Sequence, residues 1–137
     1  MSKQIHPCPW GSAAWKKLVA RDLAELRRHL TGGKACTRWV FPWGLVEASD
    51  MATVAPQIED IFLNDGYRFD GNGGLPPRRI LDGGGNVGMS ALWFRMAYPD
   101  AAITVYEPDP RLVEVMTRNL ANAKAGGVTI EAKALWT

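Results

Sequence analysis

The sequence has little net charge, few cysteines and no long apolar run, and each shortage excludes a class of protein. The 16 basic and 14 acidic side chains leave a formal charge of +2, too small to predict binding to nucleic acid or a membrane surface. Two cysteines, Cys8 and Cys36, make no disulfide framework, which favours a reducing compartment. No apolar stretch could span a bilayer, and the N-terminus lacks the apolar core of a signal peptide. We therefore expect a cytoplasmic protein.

What the sequence does contain is enough apolar surface for a packed core. Hydrophobic residues make up 47% of the 137 positions, and six of them are tryptophans. This composition predicts a globular chain of about one domain's length rather than disorder. Residues 71–77 are rich in glycine and proline, as linkers are. We therefore divide the chain into an N-terminal helical cap segment, residues 1–70, and a core, residues 71–137.

The cap segment is predicted to contain two helices and a hairpin. Ser12 can cap a helix over residues 13–30, which Gly32 and Gly33 would end. Its basic face could suggest nucleic acid, but two acidic residues dilute the charge and we expect a solvated surface. A hairpin brings Trp39 and Trp43 close together, either as a sugar platform or, more commonly, as core packing. A second helix follows over residues 51–63, with a proline, at position 56, that its first turn would tolerate.

The core is organised around a short apolar run, residues 80–82, that ends in Asp82 and is followed by a glycine-dense turn. The next segment has apolar residues at helical spacing on one face. These apolar residues are Met89, Leu92, Trp93 and Met96. The stretch therefore predicts a strand, a tight turn and a helix. Such a turn lets a ligand approach the backbone closely, and it opens onto a helix N-terminus that favours negative charge. With the carboxylate of Asp82 beside it, the pocket suits a ligand that has both an anionic and a cationic part.

Two other nucleotide motifs resemble this turn. Gly83, Gly85 and Gly88 satisfy the GxGxxG pattern of dinucleotide-binding sites. In that motif, however, an acid in the position of Asp82 would face the pyrophosphate. An ATP P-loop requires lysine where this chain has Met89. A nicotinamide-linked oxidoreductase therefore remains the weaker alternative.

A second strand, residues 102–107, ends in Glu107, which could reach both hydroxyls of a ribose. Asp109 and Pro110 are typical of the N-cap and first position of a helix. We expect Gly126 and Gly127 to close this helix and residues 128–135 to form a third strand. Two right-handed crossovers then give an α/β fold with parallel strands in the order 3-2-1. Because the chain stops there, the first strand is left as an open edge. We expect self-association, a partner chain, further chain in a longer protein or the cap segment to cover it.

The paired motifs, Asp82-x-Gly84-x-Asn86-x-Gly88 and the segment from Tyr106 to Pro110, resemble those of the FkbM-type family of S-adenosylmethionine-dependent class I methyltransferases. The segment from Lys133 to Trp136 is similar to the family's sequence after its third strand. The resemblance covers about residues 50–137. It implies a Rossmann-like core that binds S-adenosylmethionine. Tyr67 corresponds to an aromatic residue that lies near the cofactor in that family.

The resemblance also implies a role for each matching residue. Asp82 would act on the ammonium side of the methionine portion, and the glycine-rich turn would hold that portion. Glu107 would bind the ribose hydroxyls, with Pro108 beside the adenine and Ala134 and Leu135 on its other side. The implied cofactor-binding residues are Asp82, Gly83, Gly84, Gly85, Asn86, Gly88, Glu107, Pro108, Ala134 and Leu135.

The methyl acceptor and the general base are not assigned by the sequence. The resemblance favours a hydroxyl of a sugar or another small molecule. His6 and His29 are candidate bases by residue type alone, and with Cys8 and Cys36 they fit no zinc spacing. We expect no metal site, no nucleic acid and no membrane partner. The leading hypothesis is an oxygen-directed methyltransferase represented by its cofactor-binding half; a non-catalytic or remnant binding module is the alternative.

Overall fold

The computed structural model describes residues 8–69 and 72–135. The chain forms two compact units, Met1–Gly66 and Tyr67–Thr137. Each unit is built from different elements, since the first is mostly helical and the second contains a parallel sheet.

The first unit begins with the predicted amphipathic helix, α1 (Ala13–Thr31). The Ser12 side chain accepts a hydrogen bond from the Trp15 N–H at 3.2 Å, as a helix cap does. The helix ends at Gly32, and Gly33 follows with a left-handed φ of 74°. Its buried face carries Trp15, Val19, Leu23 and Leu26, while most of its basic side chains are exposed.

A two-stranded antiparallel hairpin follows, with β1 (Arg38–Phe41) and β2 (Gly44–Glu47). Trp43 at its tip is buried, and its ring stacks on Phe41 at 5.0 Å and on Phe62 at 4.5 Å between centroids. Trp39 is half-buried, and its indole N–H donates to the Asp22 carbonyl at 3.1 Å. Both tryptophans therefore serve packing, and the sugar-platform alternative finds no support in these contacts.

The second helix differs from its prediction in two ways. It is α-helical only over α2 (Met51–Ile58) and continues as a π-helical segment, Glu59–Leu63. In this segment the Asn64 N–H bonds to the Glu59 carbonyl, five residues back. Pro56 lies in the second turn of α2, not the first, so its missing N–H falls inside the helix. The apolar face is nevertheless as predicted, because Ile58, Ile61 and Phe62 are all buried.

The second unit contains a three-stranded parallel sheet formed by β3 (Arg79–Gly83), β4 (Ala102–Tyr106) and β5 (Val128–Glu131). The strand order is β3-β4-β5, and both neighbouring pairs are parallel. Two helices connect the strands, α3 (Met89–Ala97) and α4 (Pro110–Asn122). The predicted α/β class and strand order are thereby confirmed. This β-α-β-α-β arrangement is the topology of one half of a Rossmann-like sheet.

Two boundaries in the second unit correct the sequence analysis. The third strand, β5, ends at Glu131 rather than at residue 135, because its partner β4 ends at Tyr106, opposite Glu131. Helix α4 ends at Asn122, so Gly126 and Gly127 do not close it. The chain leaves the helix through Lys124, which has a left-handed φ of 55°. The turn there is supported by backbone hydrogen bonds, among them Ala125 N–H to the Leu120 carbonyl at 2.9 Å.

Within residues 8–69 and 72–135, no helix is long and apolar enough to cross a membrane. The same part of the chain holds no group of three or more histidine, cysteine or acidic side chains arranged to bind a metal ion.

Candidate functional site

Two buried carboxylates lie at the carboxyl ends of neighbouring strands in the second unit. Asp82 is the residue before the last one of strand β3, and Glu107 directly follows β4. The register pairs Gly83 with Tyr106, so Glu107 lies one residue beyond the last paired position. In open parallel sheets, ligands bind in the crevice outside the carboxyl ends of the strands. This edge of the sheet is therefore the candidate site.

Asp82 is held in place by the first turn of α3. Only 9% of the residue is exposed, and its Oδ2 accepts a hydrogen bond from the Ser90 hydroxyl at 2.6 Å. Burial raises the pKa of the Asp82 carboxyl, and the bond from Ser90 only partly opposes that rise. A cation bound beside the carboxylate would favour the ionised form again. The arrangement thus suits a positively charged ligand group.

The turn between β3 and α3 has a left-handed backbone at three positions. The φ angles are 79° at Gly84, 50° at Asn86 and 95° at Gly88. Glycine adopts such angles freely, and asparagine does so more readily than most other residues. This explains why an asparagine can stand in the middle of the glycine-rich turn. The N–H groups of Gly84 and Gly85 both donate to the Tyr106 carbonyl, at 2.8 and 3.2 Å, which ties the turn to β4.

At two positions of the turn, neighbouring side chains leave room only for glycine. A Cβ atom on Gly85 would lie 2.2 Å from Val105 Cγ1, and one on Gly88 would lie 2.9 Å from Met116 Cγ. Val105 and Met116 are fully buried. The turn therefore packs directly on β4 and α4, with no room for a side chain at either position. At Gly84, by contrast, a Cβ would meet nothing within 4 Å.

Glu107 links the two loops of the site. It is 6% exposed, and its Oε2 accepts the Asn86 N–H at 2.9 Å while its Oε1 accepts the Asp109 N–H at 3.0 Å. A carboxylate has about four acceptor positions, so each oxygen retains one for a further donor. The side chain can therefore hold both loops and still bind a pair of hydroxyl groups.

Asp109 caps α4, as its position before Pro110 predicts. Its Oδ1 accepts the Arg111 N–H at 2.9 Å, and the Arg111 guanidinium lies 3.0 Å from Oδ2. The hydrogen bond from the Arg111 side chain, followed by that from its backbone, lowers the pKa of the Asp109 carboxyl. Asp109 is thus explained by local capping. Pro108, between the two acids, is exposed.

The N-terminus of α3 faces the same turn. Its N-cap is Gly88, which has no side chain to bond the first N–H groups of the helix, and no side-chain cap is present. Unsatisfied N–H groups at a helix N-terminus favour an anionic ligand group, and the helix dipole adds to this preference. The site therefore offers a preference for negative charge here and for positive charge at Asp82.

The last two predicted site residues lie beyond β5. Leu135 is half exposed, and its Cδ2 lies within 3.3 Å of the position that a Cβ on Gly83 would take. The side chain of Leu135 is thus beside the end of β3. Ala134 is exposed. The structure brings together Asp82, the turn and Glu107, with Leu135 next to Gly83, and leaves Pro108 and Ala134 on the surface.

Sequence reasoning missed two polar residues that support the site. Ser90 bonds Asp82, and Asn119 on α4 donates from its side-chain amide to the Val87 carbonyl at 2.8 Å. Asn119 is only 1% exposed. Its signal in the sequence was a polar residue between two members of an apolar stripe, Met116 and Leu120. Of the two histidines, His29 lies on α1 with its ring 5.4 Å from that of Trp39, and His6 lies outside the described residues.

No protein-family model matches the chain. The sequence is similar to two curated fungal proteins over short stretches. It is 43% identical over 42 residues to methyltransferase sdnD of Sordaria araneosa, and 37% identical over 49 residues to methyltransferase 1 of Beauveria bassiana. These stretches are 31% and 36% of this chain, but only 16% and 20% of the two relatives.

One solved structure resembles the chain over a longer stretch. It comes from Staphylococcus aureus and is described as a caffeoyl-CoA O-methyltransferase. The likeness has a TM-score of 0.39 and 17% sequence identity, and it covers 88% of this chain and 50% of the other.

Proposed function

We propose that this chain carries the cofactor-binding part of an S-adenosylmethionine-dependent methyltransferase of the FkbM type. The observation that carries the proposal is the pair of buried carboxylates, Asp82 and Glu107, on either side of a left-handed turn that opens onto a helix N-terminus. The local similarity to two methyltransferases supports it. The relatives are far longer than the shared stretches, so the activity is proposed for the protein to which this core belongs.

The residues present fit the two charged groups of the cofactor's methionine portion. Its ammonium group matches Asp82, whose carboxyl is buried and gains from a nearby cation. Its carboxylate matches the N-terminus of α3, which has no side-chain cap. A dinucleotide would instead place a pyrophosphate near Asp82, where the two negative charges would repel each other. The charge pattern thus favours an amino-acid ligand over NAD.

The nucleoside portion matches the other side of the turn. Glu107 keeps one acceptor position on each oxygen for the two ribose hydroxyls. The exposed Pro108 and the half-exposed Leu135 would flank an adenine ring, with Ala134 beside Leu135. Gly84 has open space where a side chain would otherwise stand, so a ligand can approach the backbone there.

The chemistry supplied by the bound cofactor is an activated methyl group on a sulfonium, which a nucleophile displaces in line. The residues of this chain would contribute orientation and electrostatics, which are the protein's part in cofactor enzymes. Asp82 and Glu107 would fix the two ends of the ligand, and the rigid turn between them would set its direction. We propose a hydroxyl group of a sugar or another small molecule as the acceptor, in keeping with the family resemblance.

Calorimetric titration of the full 137-residue chain with S-adenosylhomocysteine, with NAD as a parallel ligand, tests this function. We expect S-adenosylhomocysteine to bind and NAD not to bind. The variant Asp82→Ala should weaken binding of S-adenosylhomocysteine at least tenfold, since it removes a charged hydrogen-bond partner. The exposed Asp100, changed to alanine, is the control and should bind normally. Binding of NAD alone, or equal binding by Asp82→Ala, would overturn the proposal.

A further inference from the structure

The turn at residues 84–88 needs support from outside itself. Glycine adopts the left-handed φ angles of Gly84 and Gly88 freely, but Asn86 also has one, and for a non-glycine residue this region costs about 1–2 kcal/mol. The support comes from β4 and the segment after it. The Tyr106 carbonyl accepts two N–H groups of the turn, and the Glu107 carboxylate accepts a third. In all three of these bonds the turn donates through an N–H group, and none of them involves a carbonyl of the turn.

The Val87 carbonyl has a different partner, the side-chain amide of Asn119. The Nδ2–H of Asn119 donates to it at 2.8 Å. The next N–H along the chain, that of Gly88, donates to the Gly85 carbonyl at 2.9 Å. The Val87 carbonyl and the Gly88 N–H belong to one planar peptide unit. That unit is therefore held at both of its ends, one by the turn itself and the other by α4.

This peptide unit leads directly into α3. Gly88 is the N-cap of the helix, and its carbonyl accepts the Leu92 N–H at 2.9 Å. The orientation of the Val87–Gly88 peptide sets where the first N–H groups of α3 point. If the plane rotated, a carbonyl oxygen would replace an N–H group near the helix N-terminus, with the opposite partial charge. The fixed plane thus preserves the preference of this end of the site for an anion.

The Asn119 side chain is a buried polar group on an otherwise apolar face of α4. It lies between Met116 and Leu120 in a buried stripe, where an aliphatic residue would pack without desolvating an amide. A buried amide is retained at little cost only if it is hydrogen-bonded, and the Asn119 amide donates to the Val87 carbonyl in the turn, 32 positions earlier in the chain. The Asn119 side chain therefore connects α4 to the turn of the candidate site by a hydrogen bond.

We propose that Asn119 is a positioning residue of the candidate site: it fixes the Val87–Gly88 peptide, and through it the N-terminus of α3, without touching a ligand. The importance of this role for cofactor affinity rests on the proposed function; its effect on the turn does not.

The variant Asn119→Asp tests the inference. Its side chain has nearly the same shape, but it places a carboxylate oxygen against the Val87 carbonyl in place of an N–H donor. Asn119→Leu is the second variant, since leucine has the same branching and number of side-chain heavy atoms as asparagine, suits an apolar stripe and should fold. The same amide-to-carboxylate change at the exposed Asn122, on the same helix, is the control.

Two measurements on the full chain distinguish positioning from general stabilisation. We expect both Asn119 variants to bind S-adenosylhomocysteine about tenfold more weakly than the wild type, at a temperature where all the chains are folded. We also expect the Gly88 amide to exchange with solvent at least tenfold faster, with little change in the amides of β5. The Asn122→Asp control should match the wild type in both measurements.

The outcomes separate this inference from the proposed function. If the wild-type chain binds no S-adenosylhomocysteine but the Gly88 amide is still deprotected in the variants, the proposed function fails and the positioning role stands. If Asn119→Leu is folded and keeps both wild-type affinity and wild-type Gly88 protection, the positioning role is wrong. Uniformly faster exchange throughout the second unit, with unchanged affinity, would also overturn it, because that is the result of a purely structural side chain.

Discussion

The close packing of the turn on β4 gives a quantitative prediction for Gly85→Ala. The added Cβ would lie 2.2 Å from Val105 Cγ1 and 3.1 Å from Met116 Sδ. The first distance is about 1.3 Å shorter than the ~3.5 Å at which carbon atoms make good contact. Val105 cannot easily move away, because a β-branched side chain has few rotamers and this one is fully buried.

We therefore expect Gly85→Ala to destabilise the second unit near the upper end of the range for overpacked cores, about 3 kcal/mol. With a urea dependence of about 2 kcal/mol per M, the unfolding midpoint falls by about 1.5 M. Amide NMR signals of β3 and β4 follow the second unit specifically. Gly84→Ala is the matched comparison, because a Cβ there has open space and only the left-handed φ of 79° opposes it. It should cost about 1–2 kcal/mol.

A double-mutant cycle with Val105→Ala tests the cause. Val105→Ala alone should cost about 2 kcal/mol for the two lost methyl groups and the cavity they leave. In the double variant the new methyl of residue 85 occupies part of that cavity. The combined loss should then be about 2 kcal/mol rather than the additive value of about 5 kcal/mol. Additive losses, or a mild effect of Gly85→Ala alone, would refute the packing argument.

Three further predictions concern the carboxylates and the sheet edge. Burial raises the pKa of Asp82 in the folded chain, so protonation of this carboxyl favours the folded state. The resulting stabilisation is complete below the unfolded-state pKa, about 3.9, and is lost as pH rises through the folded-state pKa. The urea unfolding midpoint of Asp82→Asn should therefore increase relative to that of the wild type as pH rises from 3 to 7. A difference in midpoint that stays constant with pH would contradict the predicted direction of the pKa shift. Glu107→Gln should bind S-adenosylhomocysteine at least tenfold more weakly in calorimetry, since an amide has only one acceptor oxygen for the two loop N–H groups. Glu114→Gln, on the exposed face of α4, is the control. Equal losses of affinity in both variants would count against the assignment of Glu107 to the cofactor site. Leu81 is 56% exposed on β3, which is an edge strand among the described residues, so we propose that the chain self-associates there. In sedimentation velocity Leu81→Lys should lower the associated fraction and Leu75→Lys, outside the sheet, should not; the reverse pattern would exclude this edge.

The features that the sequence predicted well are those decided by neighbouring residues. Ser12 and Asp109 cap their helices through bonds to N–H groups two or three positions away. The strand, turn and helix around Asp82 follow from apolar spacing and glycine content, and the parallel order follows from the crossover rule.

The features that the sequence did not predict depend on partners distant in the chain. The alternating pattern continues past Glu131 to Lys133, and the predicted strand ran to residue 135, but the length of β5 is set by where β4 ends, at Tyr106. The π-helical register after Ile58 keeps the same apolar residues buried, so periodicity could not distinguish it from an α-helix. In the site, the bonds from Asn86 to Glu107 and from Asn119 to Val87 join residues 21 and 32 positions apart. No local pattern indicates such pairs.

The most direct test of the central claim is to locate the cofactor on the chain by NMR. S-adenosylhomocysteine would be titrated into the isotope-labelled 137-residue chain, and the backbone amide shifts followed to saturation. We predict saturable shifts concentrated at residues 83–90 and 107–109, where the turn, the N-terminus of α3 and the Glu107 loop lie. Saturable shifts confined to other residues, or no shifts in a folded chain, would contradict the assignment of a cofactor site to Asp82 and Glu107.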